Sequence, residues 1–480
     1  MNVQLTDRDV ADATATSLDA APPIARRLAD FAAELTFEDV PAEVVERAKR
    51  HVLDTVGIAL AASQGDYAMR VTTAIDALAG PGPHAVIGRA GRLPLRDAAL
   101  VNGTLIHGLD YDDTHSEGVV HASASALPVA LGVGEAARST GREALLAYLI
   151  GIEASARLGA AAGGAFHQRG FHPTGVVGIF GAALAAGRLR DATPAAMAAA
   201  QGVALSMAAG SLEFLEDGSW TKRMHPGWAA SSAITALELA RNGFKAPPAA
   251  YEGRFGLYAS HVGEDAADLS RCTEALGTTW EMMNVALKPY PACHFNHAFA
   301  DAALALREAH GLTPADIRSV RALIGAGQVG TVCEPEASKR TPANAYDAQF
   351  SVHYIIATAI ARGRFTLDEL EEEAIRDPEV LGLTQRITYE VDPDTRFPRY
   401  YSGEVVVETT DGRTLSHRED VNRGSDANPL SEADVIAKFH DNAARAIGRR
   451  AAERIVDLVM RLEDLHDVSE LADALAADRP

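Results

Sequence analysis

Apolar residues recur at i, i+3, i+4 and i+7 through LADFAAELTF, EVVERAKRHVLDTVGIALAAS and REALLAYLIGIEASARLGAAA. That period predicts amphipathic helices over most of residues 23–277. Thr193-Pro194 ahead of AAMAAAQGVALSMAAG predicts an N-cap, a proline at the first helical position and a buried Ala-rich helix. Gly, Pro and charge interrupt the pattern in GGAFHQRGFHPTG and EFLEDGSWTKRMHPGW, which read as loops. After Lys288 the pattern changes. SVRALIG, QRITYEV and GEVVVETT are β-branched with partial alternation, and VVVETTDGRTLSH predicts a hairpin turning at Asp411-Gly412. FADAALALREAHG and DAQFSVHYIIATAIARG between them are helical in pattern. Helical periodicity returns beyond Asn428-Pro429, where Ser431 with Asp434 forms a capping-box pattern. The expected fold is mainly α: a large helical-bundle domain formed by both chain ends, residues 23–284 and 428–470, with an inserted smaller α+β lid domain, residues 285–427. Residues 1–22 are expected to be a flexible N-terminus.

Composition narrows the function classes. The 480 residues are 47% hydrophobic but only 6% aromatic, and the net charge of −21 is a poor match to nucleic acid or an anionic membrane. Cys272, Cys293 and Cys333 form no CxxC pair, which argues against a disulfide framework and for a reducing compartment. MNVQLTDRDVADATATSLDA lacks the apolar stretch of a secretory signal, and VVGIFGAALAA is too short to span a bilayer. A soluble cytoplasmic protein is expected, with neither nucleic acid nor membrane as a partner.

Ionisable side chains crowd into HGLDYDDTHSEGVVH, GFHPTG, SWTKRMHPGW and KPYPACHFNH. His107, Asp110, Asp112, Asp113 and His115 could offer metal ligands, and His294 and His297 stand at i, i+3, but no HExxH, EF-hand or Cys/His zinc pattern is present. GAGQVG, residues 325–330, matches GxGxxG after a strand, yet Pro335 and Pro342 follow, so it reads as a loop and not a dinucleotide site. No GxSxG marks a serine nucleophile. Acid–base chemistry on a carboxylate substrate fits the residue types better. Lys222, between Trp220 and Met224, is a candidate anion anchor; the histidines can take or give protons near neutral pH; Asp110 can fix a tautomer or accept a proton. A metal-dependent hydrolase and a non-catalytic helical binding protein remain open alternatives from the residues alone.

NGTLIHGLDYDDTH, GFHPTGVVGIFGAALAAG, SWTKRMHPGWAA, KPYPACHFNHAFADA and GSDANPLSEADVIAKF together resemble the MmgE/PrpD family, over nearly the whole chain. The resemblance implies a helical domain with a lid, a homodimer, no metal and no organic cofactor. It also implies a lyase or isomerase acting on a small polycarboxylate, through a carbanion next to a carboxylate. Dehydration of 2-methylcitrate type ranks first, epimerisation of iminodisuccinate type second and decarboxylation of cis-aconitate type third. Carried over residue by residue, it makes Asp110, His121, His172, Lys222, His297 and Tyr354 catalytic. Lys222, Arg223, His225 and His121 would bind substrate carboxylates. Asp110 would orient an imidazole, while Asp112, Asp113 and His115 shape the loop. Three departures stand out: the Asp110–His121 loop is one residue longer than in the decarboxylase, Cys293 stands where that enzyme has a histidine, and His294 is an extra lid histidine.

Overall fold

The computed structural model describes residues 21–263 and 266–476; the expected flexible N-terminus lies, up to residue 20, outside them. The molecule is mainly α, and it has two apolar cores. One draws on Ile24 to Leu287 and again on Leu430 to Leu475. The other draws on Tyr290 to Val407. The chain ends therefore share a core, and packing joins them directly: Phe439 of the Glu432–Ala443 helix lies against Gly57 of the Ala42–Ala62 helix, where an added Cβ would come within 2.8 Å of its ring. Ser431 and Asp434 cap that C-terminal helix reciprocally, and Thr193 accepts from the Ala196 amide ahead of Pro194, both as the sequence predicts.

Helix Gly141–Ala161 is apolar and long enough to cross a membrane, but all of its apolar window is buried in the bundle. Small residues set the helix spacing. Gly103 of the Leu95–Ile106 helix meets Gly227 of the Thr221–Arg241 helix so closely that a Cβ on Gly227 would lie 2.1 Å from the Leu100 carbonyl oxygen. Only paired glycines permit that crossing.

The second core is covered by a four-stranded sheet in which Ile317–Ile324 pairs in parallel with Ile387–Val391 and antiparallel with Gly403–Thr409. Gly403–Thr409 and Thr414–Glu419 form the predicted hairpin, with Gly412 at φ 90°.

Three local expectations are corrected. SWTKRMHPGW is not a loop: the Thr221–Arg241 helix starts inside it and carries Pro226 in its second turn, where the ring leaves the Lys222 carbonyl without its i+4 main-chain donor. GAGQVG is not a loop either, since Ala326–Val332 forms a short helix that ends before Pro335. Its glycines accommodate an aromatic ring, because a Cβ on Gly327 would sit 2.7 Å from the Phe397 ring. The first half also holds a small hairpin, His84–Val86 with Arg89–Leu93, too short to disturb the helical period.

Candidate active site

Four helix termini converge where the two cores meet. His107 is the C-cap residue of the Leu95–Ile106 helix. Asp110, in the turn that follows, has φ 51°, a left-handed conformation that Asp tolerates better than most residues. The turn is held by the strand pair Thr114–His115 and Val285–Ala286. His121 lies just before the Ser123–Ala137 helix, and its amide donates to Thr174 Oγ1 at 3.0 Å. His172 is the N-cap residue of the Pro173–Leu189 helix. Lys222 and His225 sit i, i+3 in the first turns of the Thr221–Arg241 helix and so share a face. The glycine crossing described above brings this helix start to the His107 end of its neighbour.

The charged centre is Asp110. Its Oδ1 accepts from Lys222 Nζ at 2.8 Å and from Lys288 Nζ at 3.1 Å, and Lys288 also donates to the Asp110 carbonyl at 2.7 Å. Burial pushes the Asp110 carboxyl up, but the two ammonium groups overcome it and hold the acid well below the usual carboxylate range. Lys288 lies between the two cores and is 2% exposed. Lys438 of the C-terminal helix backs it: its Nζ donates to the Lys288 carbonyl at 2.7 Å and pairs with Asp54 at 2.7 Å. Arg223 stacks over Tyr67, with its guanidinium carbon 4.2 Å from the ring centroid, and forms no ion pair among the described residues.

Around this centre stand the imidazoles. Ligand nitrogens of His107, His121 and His172 lie within 4.8 Å of one another. Each has its Nδ1 engaged: His107 with Asp112 Oδ2 at 2.7 Å, His121 with the Asp113 carbonyl at 2.7 Å, and His172 with His225 Nδ1 at 3.1 Å. Among the described residues, Nε2 of His107 and of His172 is buried without a partner. Burial drives His121 down to about 3 and His225 to about 4, and takes His107 and His172 well below the ordinary histidine range. All are therefore neutral at pH 7. With Nδ1–H donated to Asp112, His107 presents a basic Nε2 lone pair.

The structure thus brings together Asp110, His121, His172, Lys222 and His225, with Arg223 beside them. It corrects two roles. Asp110 pairs with lysines and not with an imidazole; Asp112 orients His107 instead, because it is the carboxylate that the His107 ring faces. Asp113 does shape the loop, accepting from His51 at 3.0 Å and from the Ser123 amide and hydroxyl. Tyr354 is not in the cluster. Its hydroxyl donates to the Glu369 carbonyl at 2.7 Å inside the second core, because the Val352–Arg362 helix turns that face inward. His297 is a step removed: its Nε2 contacts the Ala292 carbonyl at 3.2 Å and its ring packs on His294, centroids 4.7 Å apart. His294 is the nearer lid histidine, buried and pushed down to about 3, with Lys288, His121 and Asp110 the charged or titratable groups bearing on it. Cys293 is a buried thiol, pushed up to about 11 by its burial and by the nearby Asp110 charge. Gln349 ties the two cores, donating to the Leu109 carbonyl at 2.8 Å and the Pro291 carbonyl at 3.0 Å.

His107, Asp112 and Lys288 stand at the site although none is among the catalytic or substrate-binding residues expected from the sequence. His107 and Asp112 stood in plain sight in HGLDYDD, and their spacing gave no reason to choose them. Lys288 opens KPYPAC, and its lysine preceding a proline-punctuated turn was a usable signal.

A helical bundle packed on a second, smaller core, with a lysine-bridged aspartate and neutral imidazoles where they meet, carries the groups that acid–base chemistry needs, and comparison with known sequences places it: the chain belongs to the MmgE/PrpD family, whose decarboxylase members are lyases. Residues 26–270 match the MmgE/PrpD N-terminal domain and residues 290–464 the C-terminal domain. Among similar proteins, cis-aconitate decarboxylase of Mus musculus is 30% identical over 444 residues, covering 89% of this chain and 88% of that protein. The cis-aconitate decarboxylase of Homo sapiens is 30% identical over 458 residues, 91% of each chain. That of Aspergillus terreus is 26% identical over 474 residues, 94% of this chain and 96% of the relative.

Proposed function

We propose that this protein is a lyase that forms and quenches a carbanion on a small tricarboxylate, with decarboxylation of cis-aconitate type as its reaction. The observation that carries the reading is the grouping of imidazoles with uncommitted Nε2 atoms beside the Lys222–Asp110–Lys288 bridge. Dehydration ranks first on sequence alone; similarity to cis-aconitate decarboxylases over nearly the full chain supports placing decarboxylation ahead of it here.

Lys222 and Arg223 anchor carboxylates, since both are cationic, half-buried or better and backed by aromatic rings. His225 and His121 complete the carboxylate contacts. A tricarboxylate entering the site adds negative charge beside neutral imidazoles and raises their pKa, so one becomes the acid it was not before. Loss of CO2 breaks one C–C bond and leaves its electron pair on carbon. The imidazolium of His172 or His107 then delivers a proton to that carbon, and Asp112 stabilises the charged form of His107. Desolvation of the scissile carboxylate by Cys293 and by Phe350, whose ring centroid lies 5.9 Å from Lys222 Nζ, favours its departure as neutral CO2.

A second reading is retained for one reason. Cys293 places a neutral thiol where the decarboxylase has a histidine, which favours a different leaving group, water or a proton, with the same carbanion step. Proton NMR in D2O against cis-aconitate, 2-methylcitrate, citrate and iminodisuccinate separates the cases. Decarboxylation gives a vinylidene pair, dehydration a new alkene signal, and epimerisation deuterium at Cα without a new product. Lys222→Ala should lose more than tenfold in turnover, about 1.4 kcal/mol of barrier, with its circular dichroism unchanged. No turnover of any of the four substrates would overturn the reading.

A further inference from the structure

We propose that His107, His121 and His172 form a binding site for a divalent transition-metal ion of the zinc class, which blocks the candidate active site when bound. The ion is an inhibitor here and not a cofactor, and the inference is independent of which reaction the enzyme performs.

Three features carry it. First, three imidazoles, the side chains that most often ligate zinc, are buried together with a ring nitrogen of each within 4.8 Å of the others. Second, every Nδ1 is already engaged: by a carboxylate for His107, by a main-chain carbonyl for His121 and by a second imidazole for His172. Outer partners of this kind fix the ring orientation and raise the basicity of metal-bound histidines. Third, Nε2 of His107 and His172 is buried with no partner among the described residues, so the ligand atoms are desolvated and unspent. The His121 Nε2 likewise forms no hydrogen bond among the described residues.

Geometry sets the adjustment required. With one ring nitrogen of each histidine within 4.8 Å of the others, an ion at the centre of those three atoms sits at most about 2.8 Å from each, against the ~2.0–2.1 Å of a zinc–imidazole bond. Each ring must close in by ~0.7 Å, which rotation about the soft χ2 torsion of histidine allows. Three imidazoles leave the fourth tetrahedral position to water or to a substrate carboxylate. Lys222 and Lys288 oppose a second cation; Asp110 offsets one of their two charges, and the Asp112 carboxylate behind the His107 ring supplies a further negative charge.

The test uses the full chain after chelator treatment, titrated with Co2+ and followed by its visible d–d spectrum. Zn2+ stoichiometry comes from equilibrium dialysis with elemental analysis. The expected result is one ion per chain, a four-coordinate cobalt spectrum without a thiolate charge-transfer band, and turnover that falls with occupancy and returns with chelator. His107→Gln and His172→Gln should each weaken binding at least tenfold. Asp112→Asn removes no ligand and should still weaken it about 10–100-fold. Should the histidine variants fail to fold, the wild-type spectrum and Asp112→Asn still decide. Absence of saturable binding would overturn the proposal. So would a thiolate band lost in Cys293→Ser, because it would place the ion on the lid cysteine. Metal binding without turnover of any substrate would overturn the lyase reading alone, and turnover without metal binding would overturn this one alone.

Discussion

Replacing Asp110 by Asn isolates the electrostatics at the heart of the site. Asn fits the same volume and tolerates the left-handed φ of 51°, so the backbone needs no adjustment. What is lost is one negative charge between two ammonium groups at 2.8 and 3.1 Å. At an effective dielectric constant of ~20 each contact is a Coulomb attraction of ~5–6 kcal/mol, most of it offset by the desolvation of the ions. Removing one partner of a buried pair typically costs ~3–5 kcal/mol, because the remaining charge is stranded. Here two ammonium groups are stranded, with side-chain exposures of 12% for Lys222 and 2% for Lys288. A loss of about 4 kcal/mol in unfolding free energy is therefore expected, read from urea denaturation at pH 7. The Asp110 carboxyl is held below its ordinary range, so its contribution is fully present above about pH 4 and drains away only as pH falls further. The experiment at pH 7 sees all of it. Propane-1,2,3-tricarboxylate should stabilise the variant more than the wild type, since its carboxylates can meet the two unpaired ammonium groups. A loss below about 1 kcal/mol, with no added response to the anion, would refute the bridge as the organising charge of the site.

Three further outcomes are expected. Gly227→Ala puts a Cβ 2.1 Å from the Leu100 carbonyl oxygen, a main-chain atom that cannot swing away; it should cost ~1–3 kcal/mol or more and at least tenfold in turnover, and a wild-type melting temperature would contradict the glycine crossing. Tyr354→Phe should cost only about 1 kcal/mol for the lost bond to Glu369 and leave turnover within about twofold, whereas a tenfold loss in rate would put that hydroxyl at the chemistry. Stability should fall as pH drops from 7 to 5: His51 at about 4, His121 and His294 at about 3 stay neutral when folded while the unfolded chain binds protons below about 6.5, a cost of ~2 kcal/mol each at pH 5. Asp54, Asp112, Glu153 and Asp301, raised to about 6, pull the other way by ~1.3 kcal/mol each, but His107, His172, His225, His297 and His353 are lowered too, and these eight imidazoles outweigh the four carboxyls; denaturant midpoints that do not move between pH 7 and 5 would show the imidazoles are not buried neutral.

Local chemistry made much of this protein legible from its sequence. The 3.6-residue period identified the mainly α fold because a helix buries one face repeatedly. The change of pattern after Lys288 falls just before the second core begins at Tyr290. Asp411-Gly412 announced its hairpin, and Ser431 and Thr193 announced their caps, since each depends on residues within a turn or two. Likewise Asp110, His121, His172 and Lys222 could be picked out, because ionisable groups in an Ala-rich chain need a reason to be there. Tertiary structure decided the rest. Whether Asp110 would face an imidazole or two lysines depended on Lys288, distant in sequence and delivered by the junction of the two cores. Tyr354 shares its motif with site-like residues, yet one helix orientation buries it against Glu369. The cluster of His107, His121 and His172 has no sequence spacing at all: three separate helix ends create it, and paired glycines bring the Lys222 helix close enough to join it. Sequence fixes which groups can ionise and which segments can coil; the distances between them, and so their charges and partners, exist only once the helices have packed.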